Sequence, residues 1–212
     1  MVKVKSFGCS FIYGSELSDD LNGSQPSKLS WPALIAKSMN AEYECFAKPG
    51  SGNLQIYNSL LNNIDDSDTV YIVGWSYIDR FDYINLLKDT WQTILPNAET
   101  SKAHFYYANF HSQFKDKMLS LTLIHSAITF LADKKFIMTW QDSLLWETDW
   151  HVDNTILNLQ DACKPKFLDY DGLDFSNWSF KKGYPVSKMG HPLDQAHSAA
   201  AEHILKLSIN KI

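Results

Sequence analysis

Apolar and β-branched residues recur along this chain in short runs that end in glycine and a small polar residue. The first run covers residues 2–7, where Val2, Val4 and Ser6 alternate with Lys3, Lys5 and Phe7. Period-two alternation predicts a strand, stopped here at Gly8. A second strand is expected over residues 43–47, running into Lys48-Pro49-Gly50-Ser51-Gly52-Asn53. The third, Thr69-Val70-Tyr71-Ile72-Val73, is almost continuously apolar and ends at Gly74-Trp75-Ser76. Such a run fits a strand covered on both faces. A further strand is expected over residues 135–139.

Helical periodicity fills the intervals. Ser30-Trp31-Pro32 opens a helix with a serine cap and a proline in the first turn, carrying Leu34, Ile35 and Met39 and ending near Asn40. A second helix follows Asn53, with Leu54, Ile56, Tyr57, Leu60 and Leu61 as its stripe. Residues 81–94 show a helical stripe of Ile84, Leu87, Trp91 and Ile94, stopped by Pro96, whereas residues 103–107 fit either a short strand or a helix. Residues 114–131 predict a long helix with Met118, Leu121, Ile124, His125 and Ile128 along one face, His125 as a packing residue. The last helix spans residues 193–207 and presents Ala196, Ala200, Ile204 and Leu207 together.

Strands that alternate with helices and share glycine-rich ends predict an α/β fold with a parallel sheet, whose carboxyl edge is where ligands bind. Residues 15–30 read as a polar loop able to lie over that edge, and residues 143–190 as a long irregular excursion over it, with one helix near 152–159. With no repeat, low-complexity tract or linker, residues 1–212 are expected to form a single domain.

Composition narrows the function. The chain is 45% hydrophobic and 20% charged, which suits a packed core. Its net charge of −5 and its single arginine, Arg80, argue against nucleic-acid binding, which needs clustered cations. Cys9, Cys45 and Cys163 have unrelated spacing, so neither a disulfide framework nor a zinc knuckle is expected. The first residues lack a basic-then-apolar leader, and no run approaches the roughly eighteen apolar residues of a membrane span. A cytoplasmic protein without a membrane span is the expectation, with no metal and no cofactor required. Oligomeric state is left open.

The candidate chemistry centres on Ser10. At the end of the first strand it is either a nucleophile or an ordinary cap serine. The glycine-rich turn before Asn53 exposes N–H groups able to hold an oxyanion, or simply lets the chain turn. No Gly-Lys-Ser/Thr follows it, and the dinucleotide fingerprint is absent. His191, before the terminal helix, supplies a base if that helix packs beside the first strand.

Gly8-Cys9-Ser10-Phe11-Ile12-Tyr13-Gly14 resembles the first block of the SGNH (GDSL-like) hydrolases, in a variant with cysteine before the serine. Gly50-Ser51-Gly52-Asn53 is similar to the second block, Gly74-Trp75-Ser76 followed by Arg80 to the third, and His191-Pro192 before an alanine-rich helix to the fifth. The resemblance implies a three-layer α/β/α sandwich with a flavodoxin-like parallel sheet of about five strands. It implies Ser10 as nucleophile, His191 as base, and the N–H groups of Ser10 and Gly52, aided by Ser76 or Trp75, as oxyanion donors. Cys9, Asn53, Trp75 and Arg80 would then contact substrate.

Two departures stand out. The third-block asparagine is absent, and Lys188 occupies the place three before His191 where the family has aspartate. Either His191 works with Ser10 as a dyad, or it draws an acid from Asp142, Asp171 or Asp174. Alternatively Asp194 and His197 form the acid–base pair, although register with His-Pro favours His191. The activity implied is a serine esterase or O-deacetylase acting on a small carbohydrate or lipid-like acyl ester through an acyl-enzyme on Ser10. A catalytically impaired glycan- or protein-binding domain and an acyltransferase are the alternatives.

Overall fold

Thr69–Trp75 (β3) is buried at every position, so each face of the strand must be covered by packing. In the computed structural model, which describes residues 2–65 and 67–208, it lies inside a four-stranded parallel sheet. The extreme ends of the span 1–212 lie outside the described residues. The other strands are Lys3–Phe7 (β1), Glu42–Cys45 (β2) and, further along the chain, Lys135–Trp140. Their order is β2, β1, β3 and then Lys135–Trp140, with Val4 paired to both Tyr43 and Val70. Beyond that last strand, Phe167 forms a single parallel bridge to Met138, and the Leu168 N–H donates to the Met138 carbonyl at 2.9 Å. A fifth position of the sheet is thus sketched by one bridge rather than by a full strand.

Alternation within the strands sorts side chains into two cores. Val4, Val70, Ile72 and Ile137 face one layer, built on Ser10–Tyr13 (α1), Trp31–Ser38 (α2) and Asp194–Ser208. Phe7, Tyr71, Val73 and Met138 face the other, built on Asn53–Leu61 (α3), Gln113–Phe130 and Asn154–Cys163. The result is three layers, helices on both faces of a parallel sheet: the pattern predicted the parallel sheet, and the resemblance implied the sandwich.

The span 81–94 departs from its expected helix. Phe81–Asn85 (β4) and Thr90–Ile94 (β5) form an antiparallel hairpin in which Phe81 opposes Ile94 and Ile84 opposes Trp91. Aromatic and β-branched residues on both arms favour extended backbone, and Asp89 takes a positive φ of 48° in the turn. A stripe at helical spacing was present, but cross-strand pairing won. The ambiguous stretch after it is a helix, Ser101–Asn109 (α4), capped by the Thr100 hydroxyl. In Gln113–Phe130 (α5), His125 is exposed, because the buried face runs through Leu121, Leu123, Ile124 and Ala127 instead.

After Lys135–Trp140 (β6), the expected irregular excursion contains two helices packed on the core, although most of its residues stay exposed or half-buried. Asn154–Cys163 (α6) buries Ile156 and Cys163 against the α5 layer, and Phe175–Lys181 (α7) buries Phe175 and Trp178 beside Tyr170. Burial of these side chains anchors the excursion to the two cores. Its last residues reach that edge and lead into Asp194–Ser208 (α8).

Candidate active site

Ser10 is the first residue of α1, directly after β1, with Cys9 as its extended cap. Two glycines make that placement possible. A Cβ on Gly8 would lie 2.3 Å from Ile12 Cγ1 and 2.9 Å from the Gly74 carbonyl, and one on Gly74 would lie 2.5 Å from Ile12. Ile12 therefore plugs between the ends of β1 and β3 and draws α1 against the sheet, leaving Ser10 at the carboxyl edge. First-turn N–H groups of a helix have no intrahelical acceptor, so the Ser10 N–H is available there.

His191 meets Ser10 from the far end of the chain. Its Nε2 lies 2.9 Å from Ser10 Oγ. On the other side of the ring, Nδ1 lies 2.5 Å from Glu16 Oε2. A carboxylate accepting from Nδ1–H leaves Nε2 with its lone pair toward the serine. The histidine is held by a tight loop: Ser187 N–H donates to the His191 carbonyl at 2.8 Å, and Leu193 N–H to the Pro185 carbonyl at 3.0 Å. The Ser187 hydroxyl donates to Glu16 at 2.6 Å while accepting the Met189 and His191 N–H groups at 3.1 Å each. Those contacts, Ser187 first and His191 second, hold the Glu16 carboxyl below its ordinary value.

Ser10 and His191 open onto a cavity of about 460 Å³ whose wall includes Gly50, Tyr77, Asp79 and Arg80. Arg80 is braced by a 3.1 Å hydrogen bond to the Ser51 carbonyl and stacks over Tyr77 at 5.0 Å. Burial raises the Tyr77 phenol to about 12 and also raises Asp79.

Several expected site residues lie elsewhere. The Gly52 N–H donates to Asp82 Oδ1 at 3.0 Å, and Asp82 also accepts the Gln55 N–H and the Thr93 hydroxyl, at 2.9 and 2.6 Å. The carboxylate thus occupies the donor expected to face an oxyanion, and Gly52 lacks a Cβ because Asp82 Oδ2 would be 2.6 Å from it. Gly50, two residues earlier, is the glycine of that block at the cavity. The Asn53 amide is spent on Ser76: Nδ2 donates to the Ser76 carbonyl at 3.2 Å, and the Ser76 N–H donates to Oδ1 at 2.7 Å. Asn53 splices the second and third blocks and does not face the cavity. Ser76, Trp75 and Cys9 are all buried away from it, Trp75 and Cys9 completely, so none is placed to touch substrate.

The alternative acid–base pair is also separated. Asp194 accepts the Ser18 N–H at 3.0 Å and the Ser18 hydroxyl, which ties residues 15–30 to the start of α8. His197 is 1% exposed, accepts the Trp31 N–H on Nδ1 at 3.0 Å and packs edge-on to Phe175. Burial lowers its pKa to about 3, so it is a neutral structural acceptor. The proposed acids fare likewise. Asp142 accepts the Ile78 and Leu144 N–H groups, Asp171 pairs with Lys182 and Trp178, and Asp174 caps α7.

Glu16 was the residue missed in the sequence. It sits in the polar loop just after the nucleophile block, where neither spacing nor periodicity marks it. Lys188 is exposed and takes no part. Among the described residues, no group of three or more His, Cys, Asp or Glu is arranged to hold a metal ion, and no helix is long and apolar enough to cross a membrane.

No protein-family model and no curated protein matches the chain. Among solved structures, it resembles a member of the lipolytic G-D-S-L family from Veillonella parvula, with TM-score 0.53, 11% identity and 98% of both chains covered. A carbohydrate esterase family 2 enzyme with a carbohydrate-binding domain, from Corynascus (Myceliophthora fergusii), gives TM-score 0.55 and 14% identity over 97% of this chain and 64% of that one. The psychrotrophic esterase EstA of Pseudoalteromonas gives 0.52 and 9% over 98% of both. At such identities the likeness carries the fold, a parallel sheet between helix layers.

Proposed function

We propose that the chain is a serine esterase or O-deacetylase in which Ser10, His191 and Glu16 act as nucleophile, base and acid. The observation that carries the reading is the continuous line from Ser10 Oγ to His191 Nε2 at 2.9 Å and from Nδ1 to Glu16 at 2.5 Å. A nucleophile, a base within hydrogen-bond reach and a carboxylate behind it are the requirements of acyl transfer. His191 Nε2 takes the Ser10 proton as Oγ attacks the ester carbonyl. The oxyanion is met by the Ser10 N–H, with the Gly50 N–H as a second donor on the cavity wall. The C–O bond to the leaving alcohol breaks as His191 returns the proton to it, and water releases the acyl group from Ser10 by the same steps reversed. The lipolytic and carbohydrate-esterase neighbours support a small acyl ester or carbohydrate O-acyl substrate.

Labelling with a fluorophosphonate tests this directly. The parent protein is expected to be labelled, Ser10→Ala not at all, and His191→Ala far more slowly, while His197→Asn keeps the parent's rate. A parent protein that does not label is not a serine esterase. A catalytically impaired glycan- or protein-binding domain is the second reading, favoured by the Gly52 N–H being taken by Asp82. It predicts ligand binding without labelling. An acyltransferase would label, and would form product only when an alcohol acceptor is supplied.

A further inference from the structure

Away from Ser10, the β4–β5 hairpin, α4 and the start of α5 line a second, open cavity of about 540 Å³, larger than the one at the serine. Its walls are aromatic. Phe81 stacks on Tyr106 with centroids 4.1 Å apart, and Phe105 and Phe110 pack together at 5.6 Å along the rim. Both rim phenylalanines are more than half exposed, at 62% and 60%. Two cations border this apolar space, Lys102 and Lys115.

The cations differ in their compensation. Lys115 Nζ lies 3.0 Å from Asp116 Oδ1, so its charge is balanced. Lys102 Nζ bonds the Tyr83 hydroxyl at 2.5 Å, lies over the Tyr83 ring, and pairs with no carboxylate among the described residues. The cavity therefore carries one uncompensated positive charge beside a wall of rings. Its volume is within the usual range for small-ligand sites, which combine apolar linings with a few polar anchors.

We infer that this cavity is a binding site for a carboxylate with an apolar tail or ring, its charge set against Lys102 and its body between Phe81, Phe105 and Phe110. A neutral apolar ligand would forgo the Lys102 charge, and a cationic one would oppose it. The site is separate from the reaction cavity, yet built on the same backbone. Arg80 and Leu95 border the serine, while their neighbours Phe81 and Ile94 border this cavity. Binding requires neither Ser10 nor His191, so it stands apart from the esterase reading.

Titration calorimetry of octanoate, with octanol and octyltrimethylammonium as matched neutral and cationic probes, tests the inference. The full chain carrying Ser10→Ala is used, so that any result is independent of turnover. Octanoate is expected to saturate one site and to bind about fivefold tighter than octanol, the scale of an exposed ion pair. Lys102→Met should reduce octanoate to the affinity of octanol, and Phe110→Asp should remove binding with the melting temperature unchanged. Because Phe110→Asp could act indirectly, a photoreactive diazirine carboxylate should crosslink to peptides containing Phe105, Phe110 or Lys102. Absence of saturable octanoate binding, equal binding of octanoate and octanol, or crosslinks confined to the Ser10 cavity would overturn the proposal. So would sedimentation showing a dimer closed over this face and released by Phe110→Asp.

Discussion

Glu16 Oε2 lies 2.5 Å from His191 Nδ1 across 175 positions of sequence. The contact is assembled from both ends of the chain. Glu16 has a positive φ of 66°, and its N–H donates to Asp20 at 2.8 Å, which aims the carboxylate at the histidine loop. Ser187 then holds both partners through one hydroxyl. Glu16 thus brings a carboxylate to His191 from the loop after Gly14, while Lys188 stays exposed.

Removing that charge while keeping the shape should separate orientation from electrostatics. Glu16→Gln is expected to lower kcat on an activated acetate ester on the order of 100-fold, the lower end of general acid–base contributions. Lys188→Ala should leave kcat unchanged. Steady-state kinetics of the two variants checks both, and an unaffected Glu16→Gln protein would remove Glu16 from the triad.

Buried His197 links stability to pH. Its pKa is lowered by burial to about 3 in the fold, against 6.5 in the unfolded chain. Between those values the unfolded state binds the extra proton, so stability is full above 6.5 and falls as pH drops through the window. The slope contributed by one group reaches at most about 1.4 kcal/mol per pH unit. His197→Asn, whose amide oxygen can still accept the Trp31 N–H, should flatten the fall. Urea unfolding at pH 7 and pH 5 measures it.

Asp82 is expected to matter for stability more than its distance from Ser10 suggests. It accepts from Gly52, Gln55 and Thr93 and so fastens the β4–β5 hairpin to the start of α3. Asp82→Ala leaves buried donors unpaired and should cost about 1–3 kcal/mol. A fall in the urea midpoint without a change in m-value is the expected reading. Loss of less than half a kcal/mol would mean that water replaces the carboxylate.

The seat of Ser10 can be tested through Gly8. Gly8→Ala puts a Cβ 2.3 Å from Ile12 and should destabilise by about 1–3 kcal/mol while lowering ester turnover. Adding Ile12→Ala should recover part of the turnover, because it removes Cγ1, the nearest clashing atom, and leaves the Ile12 Cβ at 2.8 Å. No recovery would show that the remaining contacts, to the Cβ of residue 12 at 2.8 Å and to the Gly74 carbonyl at 2.9 Å, are limiting.

Much of this architecture was legible one element at a time. Val70 to Val73 announced a strand covered on both faces, and Pro32 and Pro192 announced where helices begin. The hairpin at 81–94 was not legible, since its apolar spacing satisfies a helix and only pairing of Phe81 with Ile94 decides for strands. The same holds at the blocks: a glycine that frees an N–H and a glycine that admits Asp82 look identical in sequence.

The sequence by itself determined the alternating α/β pattern and the glycine-ended strands. These follow from local periodicity and backbone freedom, which are written in consecutive residues. Tertiary structure alone decided that Glu16 faces His191, that His197 is a neutral acceptor for Trp31, and that Asp82 takes the Gly52 N–H. Each of those depends on which polar group reaches a partner first once the chain is packed. Between residues far apart in sequence, nothing but the fold sets that distance.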